Sequence, residues 1–396
     1  MKPNLIVRIA IAALACATLP ARPWAAPAEP ARPAVPPRAP VDGEIPVVLL
    51  VDLSSGQTLF AREPDRRFVP ASVTKVMTAY TAFRLIEEER LSLGRMVIVS
   101  EEVAELWSGE GSSMFLKAGD RLTVGELLLG VTTVSANDAS VVLALVAAGS
   151  QEQWLAMMNA NAAELGMRDT HFGTPNGWPD EGRTYTSARD LAVLAEALTA
   201  RYPGLYRRYF GHSGMSYRNI AQDNHDPVTG VVEGADGMKT GFTRESGYNF
   251  LGSAKRGGRR LVMVIAGAPT SGGRNQTARD LLRWGFDAFD SRVIIPGEMA
   301  IGEARVQNGA SDRVRLRTNG EVLASVPKGG KAGEFSLSIR YRGPIEAPIA
   351  EGQNIAWLRV AVPGQAPHDV PLVAAEAVPR ANPLRRLLNG VTALLT

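Results

Sequence analysis

Apolar positions along this chain change their spacing several times, and each change marks a different kind of element. The first stretch, Leu5 to Leu19, is almost continuously apolar behind a weakly basic start at Lys2 and Arg8. It falls short of the ~20 residues that a membrane-spanning helix needs. The small residues Ala26-Pro27-Ala28 follow as a cleavage site, so residues 1–28 read as a secretory signal. Residues 29–42 are rich in proline and read as an extended linker. Two apolar runs then flank Ser55-Gly56 in VVLLVDLSSGQTLFARE, the pattern of a hairpin.

Beyond Ser72 the apolar residues Val76, Met77, Tyr80, Phe83 and Leu85 recur at the spacing of a buried helix. A second strong helical stretch spans 123–149, and amphipathic helices are expected over 152–166 and 187–201. The polar, Gly/Pro-rich segment THFGTPNGWPDEGRTY separates those two as a loop. The runs DGMKTGFT, SGYNFLGSAKR and RRLVMVIAGAP, the last two joined at Gly257-Gly258, predict an antiparallel meander. A final helix is expected over roughly 272–290. Residues 43–291 therefore read as one α+β domain. Residues 294–378 are short alternating segments with frequent glycine, a small all-β C-terminal domain. In 382–396, Leu384, Leu387, Leu388, Val391, Leu394 and Leu395 share one helical face flanked by Arg385 and Arg386, an amphipathic helix suited to a membrane surface.

Composition narrows this picture. The 396 residues are 45% hydrophobic and 21% charged, an ordinary globular balance, with a formal charge of only +3. No basic run is interleaved with aromatics, so nucleic acid is not an expected partner. The single cysteine, Cys16, lies inside the signal, so the processed chain needs no disulfide and offers no thiolate to a metal. Of 43 basic residues only seven are lysines and 36 are arginines. Two of those few lysines, Lys75 and Lys239, stand in short motifs, and a buried lysine can lose its proton where an arginine cannot.

The first motif is Ser72-x-x-Lys75. Residues i and i+3 share a helix face, so Lys75 can reach the Ser72 hydroxyl and act as its base if held neutral. Ser135-Ala136-Asn137 and then Lys239-Thr240-Gly241 follow. S-x-x-K, S-D-N and K-T-G form the joint signature of class A β-lactamases and penicillin-binding proteins. All three occur here in that order, with alanine at the centre of the second. The roles that follow are Ser72 as nucleophile, Lys75 as general base, and Ser135 passing a proton to the leaving amine. Asn137 orients Lys75 or the substrate amide. Lys239 sets a positive potential, Thr240 binds a substrate carboxylate, and Gly241 leaves the strand edge bare for a substrate backbone. The N–H groups of Ser72 and Phe242 form the oxyanion hole, and two lysines in one pocket lower each other's proton affinity.

With GSSMFLKAGDRLTVGELL, SANDA, LGMRDTHF, TYTSARDLA, DGMKTGFT, GYNFLGSA and WGFDAF, the chain resembles the low-molecular-mass penicillin-binding proteins, the serine-type D-alanyl-D-alanine carboxypeptidases, over nearly everything after the linker. The resemblance implies a β-lactamase/transpeptidase-like catalytic domain, an antiparallel sheet with flanking helices and a helical subdomain, followed by a β-rich domain and a membrane-anchor helix. It implies removal of the terminal D-alanine from peptidoglycan pentapeptide stems through an acyl-enzyme on Ser72. β-Lactam antibiotics would act as covalent inhibitors, no cofactor or metal would be needed, and the location would be periplasmic, peripheral to the inner membrane. It also implies an arginine in the turn after the last sheet strand, matched by Arg274 in APTSGGRNQ. Two positions depart from the family: Phe242 and Asn176 stand where histidine is frequent, which bears on substrate preference and deacylation. A β-lactamase using Glu181, a D,D-endopeptidase and a non-catalytic penicillin sensor or wall scaffold remain the alternatives. His171, His212 and His225 lack metal-ligand spacing and read as loop or packing residues, and no G-x-G-x-x-G turn suggests a nucleotide.

Overall fold

The computed structural model describes residues 7–8, 36–297, 299–329 and 335–382. The expected signal and C-terminal amphipathic helix fall outside these, apart from Val7–Arg8 and Asn382. The described residues group into two compact units, one of Arg38–Ser54 with Thr58–Asp287 and one built mainly on the residues from Ala288 onward.

In the first unit a five-stranded antiparallel sheet holds strands β1 (Val47–Asp52), β2 (Gln57–Arg62), β3 (Ala235–Thr243), β4 (Gly247–Arg256) and β5 (Arg259–Ala268) in the order β2-β1-β5-β4-β3. The apolar runs of β1 and β5 are continuous because both faces of the sheet are covered. Val47, Leu49, Val262 and Val264 point into the large core shared with the helices. The alternate residues Leu50 and Leu261 lie against Gly285 of the last helix, α8 (Ser271–Asp287). The K-T-G strand, β3, is the sheet's edge, with Gly241 opposite Asn249 and Phe242 opposite Tyr248 on β4.

Among the described residues seven further α-helices precede β3. Helix α1 (Lys75–Glu87) is buried along most of its length, which explains its dense apolar spacing. Helix α2 (Glu101–Trp107) is too short to show a period. Helix α3 (Val124–Thr133) opens on a capping box in which Glu126 N–H donates to the Thr123 hydroxyl and Thr123 N–H donates to the Glu126 carboxylate. Helix α4 (Asn137–Ala148) begins within S-A-N. Helices α5 (Gln151–Glu164) and α6 (Ala188–Arg201) take serine N-caps, Ser150 and Ser187, and fall where the amphipathic spacing put them. The short α7 (Pro203–Tyr209) starts on proline, whose missing N–H costs nothing in a first turn.

The second unit is all β. Its larger sheet carries Ala300–Gln307, Arg313–Thr318, Ser336–Arg340, Asn354–Ala361 and His368–Ala374, with short strands Ile345–Glu346 and Val7–Arg8 at its margins. Phe289–Ile295 pairs with Val322–Pro327 in a separate ribbon. Val314, Leu316, Leu358, Val360 and Leu372 fill its core.

Candidate active site

Ser72 does not sit in the α-helix proper. Ala71–Thr74 form a tight 3-10 turn after Pro70, and α1 begins at Lys75. Ala71 has a φ of 51°, a region that a residue with a Cβ seldom adopts, so the chain enters this turn under strain. The turn aims Ser72 and Lys75 at each other: Lys75 Nζ lies 2.8 Å from Ser72 Oγ. The same nitrogen lies 2.8 Å from Asn137 Oδ1 and 2.7 Å from the Asn176 carbonyl oxygen. The orientation of the Asn137 amide is set by its Nδ2, which donates to the Glu110 carbonyl at 2.9 Å.

For Lys75 to take the Ser72 proton its amine must be neutral. A carbonyl and an amide oxygen can only accept. A neutral amine has two N–H groups and one lone pair. In the neutral state Asn137 and Asn176 accept the two N–H groups, and the lone pair can accept from the Ser72 hydroxyl; in the ammonium state all three oxygens accept from Nζ. Complete burial, and then the charge of Lys239, hold the Lys75 amine well below its usual proton affinity, with Asp138 pulling the other way.

The connection between α3 and α4 presents the second motif. Ser135 takes a φ of 63° and lines the cavity beside Ser72, which puts Asn137 at the first position of α4. Of the two readings of Asn137, orienting the substrate amide or orienting Lys75, the geometry shows the second contact. Asp138 anchors this corner. Its buried carboxylate accepts from Ser113 Oγ at 2.6 Å and from the N–H groups of Met114, Leu116 and Ala139 at 3.0, 3.1 and 2.8 Å. It thereby holds the segment after Glu110 against α4.

The third motif closes the opposite wall. Lys239 is buried and donates to the Thr240 carbonyl at 2.9 Å. Burial and then Arg274 push it down to about 7, against the pull of Asp226. Arg274 lies in the first turn of α8 and not in a loop, because α8 starts directly after β5. It donates to the Asn249 carbonyl at 3.1 Å and to Asn275 Oδ1 at 2.7 Å, and burial lowers it to about 10. Gly241 has a different reason for being glycine than a bare edge. A Cβ there would stand 2.4 Å from the Pro70 carbonyl oxygen and 3.1 Å from the Ser72 and Val73 nitrogens, so β3 can run beside the Ser72 turn only without a side chain. Phe242 is 51% exposed and stacks on Tyr248 with ring centroids 4.3 Å apart.

Ser72, Ser135, Asn137, Thr240 and Arg274 line one cavity of about 1010 Å³, with the buried Lys75 and Lys239 behind its wall. His225 lines it too, exposed to the cavity and with its proton affinity lowered by partial desolvation, Lys239 and Arg274, so it is a cavity residue and not simply loop packing. His171 and His212 do serve local structure, each facing a backbone carbonyl, that of Arg183 and that of Arg208. Glu181 is exposed and is not among the residues lining the cavity. The loop it belongs to contributes through its backbone instead. Gly177 has a φ of 76°, and a Cβ there would overlap the Ala71 carbonyl, which lets the loop press Asn176 O onto Lys75. Trp178 then meets Trp107 edge-on at 5.6 Å and forms part of the cavity rim.

A serine hydroxyl 2.8 Å from a buried lysine, opposite a sheet edge that carries a second buried lysine, is an arrangement suited to serine acyl transfer. The sequence profile of the D-alanyl-D-alanine carboxypeptidases matches residues 38–270, and that of the penicillin-binding protein 5 C-terminal domain matches 289–380. The chain is 35% identical over 346 residues to the D-alanyl-D-alanine carboxypeptidase DacD of Salmonella typhimurium, covering 86% of this chain and 87% of that one. Among solved structures it is similar to penicillin-binding protein 5 of Haemophilus influenzae, with a TM-score of 0.73, 31% identity, and coverage of 88% and 100% of the two chains. It is also similar to penicillin-binding protein D2 of Listeria monocytogenes in an ampicillin-bound form, with a TM-score of 0.55, 25% identity, and coverage of 63% and 100%. The chain belongs to the D-alanyl-D-alanine carboxypeptidase family.

Proposed function

We propose that this chain is a serine D,D-carboxypeptidase that removes the terminal D-alanine from peptidoglycan pentapeptide stems. The observation that carries this reading is the 2.8 Å contact between Ser72 Oγ and the fully buried Lys75 Nζ, whose proton affinity is held low by burial and by Lys239. Lys75 takes the Ser72 proton as Oγ attacks the penultimate D-alanine carbonyl. The Ser72 and Phe242 N–H groups receive the oxyanion. The tetrahedral intermediate collapses as Ser135 relays a proton to the departing D-alanine nitrogen. Water then attacks the ester and returns a proton to Ser72 Oγ. Lys239, Thr240 and Arg274 hold the substrate's terminal carboxylate. β-Lactams, whose acyl group enters the same attack, acylate Ser72; the ampicillin-bound Listeria relative supports this.

The test is mass spectrometry of products from a pentapeptide stem and from a cross-linked dimer. D-Alanine release from the stem, lost in Ser72→Ala together with labelling by fluorescent penicillin, supports the reading. Cleavage of the dimer alone would make the enzyme an endopeptidase, and rapid multiple turnover of penicillin would make it a β-lactamase. The exposed position of Glu181 argues against the latter.

The proposed organisation is a secretory signal over 1–28, a linker over 29–42, a catalytic domain over 43–291, a β-rich domain over 294–378 and a membrane-anchor helix over 382–396. It puts the enzyme in the periplasm, peripheral to the inner membrane. Truncation before residue 382 should move the protein from the membrane fraction to the soluble fraction; retention at the membrane would refute the anchor.

A further inference from the structure

We propose that a second groove, beyond the Phe242–Tyr248 pair, is a subsite for carboxylates that the substrate carries upstream of the scissile bond. This rests on the carboxypeptidase reading above. The groove measures about 720 Å³ and is lined by Arg66, Arg67, Arg244 and Glu245 over a floor that includes Ala268 and Pro269. Phe242, Arg244, Glu245 and Tyr248 line both this groove and the catalytic cavity, so the two spaces meet at the β3–β4 hairpin.

Direction follows from the strand. Along β3 Thr240 comes first, Gly241 passes the Ser72 turn, and Phe242 comes next. A peptide whose terminal carboxylate sits at Thr240 and whose scissile carbonyl sits at Ser72 must send its upstream residues past Phe242. β3 runs on from Thr240 to Thr243, about 10 Å at about 3.3 Å per extended residue, and Arg244 opens the turn that follows. Peptidoglycan stems carry free carboxylates in that upstream portion.

Charge in the groove suits them. Three arginines face one glutamate. Arg66 pairs with Glu63 at 2.9 Å, and Arg67 pairs with Asp169 at 3.0 Å while covering the Tyr185 ring at 4.7 Å. Arg244 has no ion pair or hydrogen bond among the described residues, so its guanidinium can meet a carboxylate without breaking a bond. The exposed, stacked Phe242 ring supplies an apolar shelf for the alkyl part of the same residue.

Steady-state kinetics of the full chain on two substrates test this: a stem pentapeptide, and a diacetylated tripeptide ending in D-Ala-D-Ala that lacks upstream carboxylates. In the Arg66→Gln/Arg244→Gln variant the ratio of kcat/KM for long over short substrate should fall about tenfold, mainly through KM, the size of one charge-assisted hydrogen bond. Added salt at about 0.5 M should erode the wild-type ratio. Should the double variant fail to take up penicillin stoichiometrically, Arg66→Gln alone, outside the catalytic cavity, gives the reading. An unchanged ratio in a wild type that turns over both substrates overturns the subsite and leaves the carboxypeptidase reading standing. A wild type that cleaves neither substrate overturns both.

Discussion

Gly241→Ala inserts one methyl group where the edge strand meets the nucleophile's turn. The new carbon would lie 2.4 Å from the Pro70 carbonyl oxygen. A carbon and a carbonyl oxygen rest no closer than about 3.3 Å, so the strand and the turn must part by roughly 0.9 Å. Neither side yields cheaply. The Pro70 carbonyl accepts the Val73 N–H at 3.2 Å, which ties it into the turn that carries Ser72. β3 is bonded to the sheet on the β4 side only, and so takes most of the movement. The two oxyanion donors proposed above belong to these two segments, Ser72 on the turn and Phe242 on the strand. Separating them by close to an ångström should slow acylation about 100-fold. The overpacking should cost about 1–3 kcal/mol, which for a unit of this size lowers Tm by about 5 °C. The assay is the second-order rate constant for labelling by fluorescent penicillin, with a thermal melt on the same preparation. A folded variant that acylates within threefold of the native rate would refute the argument that glycine is required to bring β3 against the Ser72 turn.

Asn137→Asp would put a carboxylate in place of the amide oxygen 2.8 Å from Lys75 Nζ and stabilise the ammonium. Acylation near pH 7 should fall at least tenfold, and the rising limb of its pH profile should move upward by more than one unit. Lys239, pushed down to about 7, loses its charge as pH rises through that value. KM for the pentapeptide should therefore climb above pH 7, whereas Lys239→Arg should abolish the climb. The same lysine binds its proton more tightly in the unfolded chain, at about 10.4. The unfolded state thus holds more protons between about 7 and 10.4, and Lys239 makes stability rise with pH across that window, which melts at pH 7 and 9 compared with those of Lys239→Met would reveal. Asp138→Asn turns an all-acceptor group into one whose NH₂ faces donor N–H groups. It should cost about 3 kcal/mol and lower Tm by about 10 °C, measured by calorimetry.

Much of the α+β architecture was legible because burial writes itself as period. The dense apolar spacing from Val76 to Leu85 marked a buried helix, and the alternating and continuous runs after Asp236 marked the meander, both as found. Helices α2 and α7 went unnoticed because seven residues span only two turns, too few for a pattern to emerge. The 3-10 turn at Ser72 also escaped notice, since what bends the chain there is the contact between Ala71 and Gly177, more than a hundred residues apart.

The sequence by itself determined the candidate reactive groups: Ser72, Lys75, Ser135, Asn137, Lys239 and Thr240 all belong to short motifs whose members lie close together in the chain. Tertiary structure decided what those groups are worth chemically. The Lys75 amine is held well below its usual proton affinity by burial and by the charge of Lys239, and no local pattern encodes that environment. Asp138, Asn176, His225 and the reason for Gly241 were hidden for the same cause. Each acts through a contact between segments remote in sequence, and such contacts exist only once the sheet edge, the Ser72 turn and the loop at Gly177 are packed together.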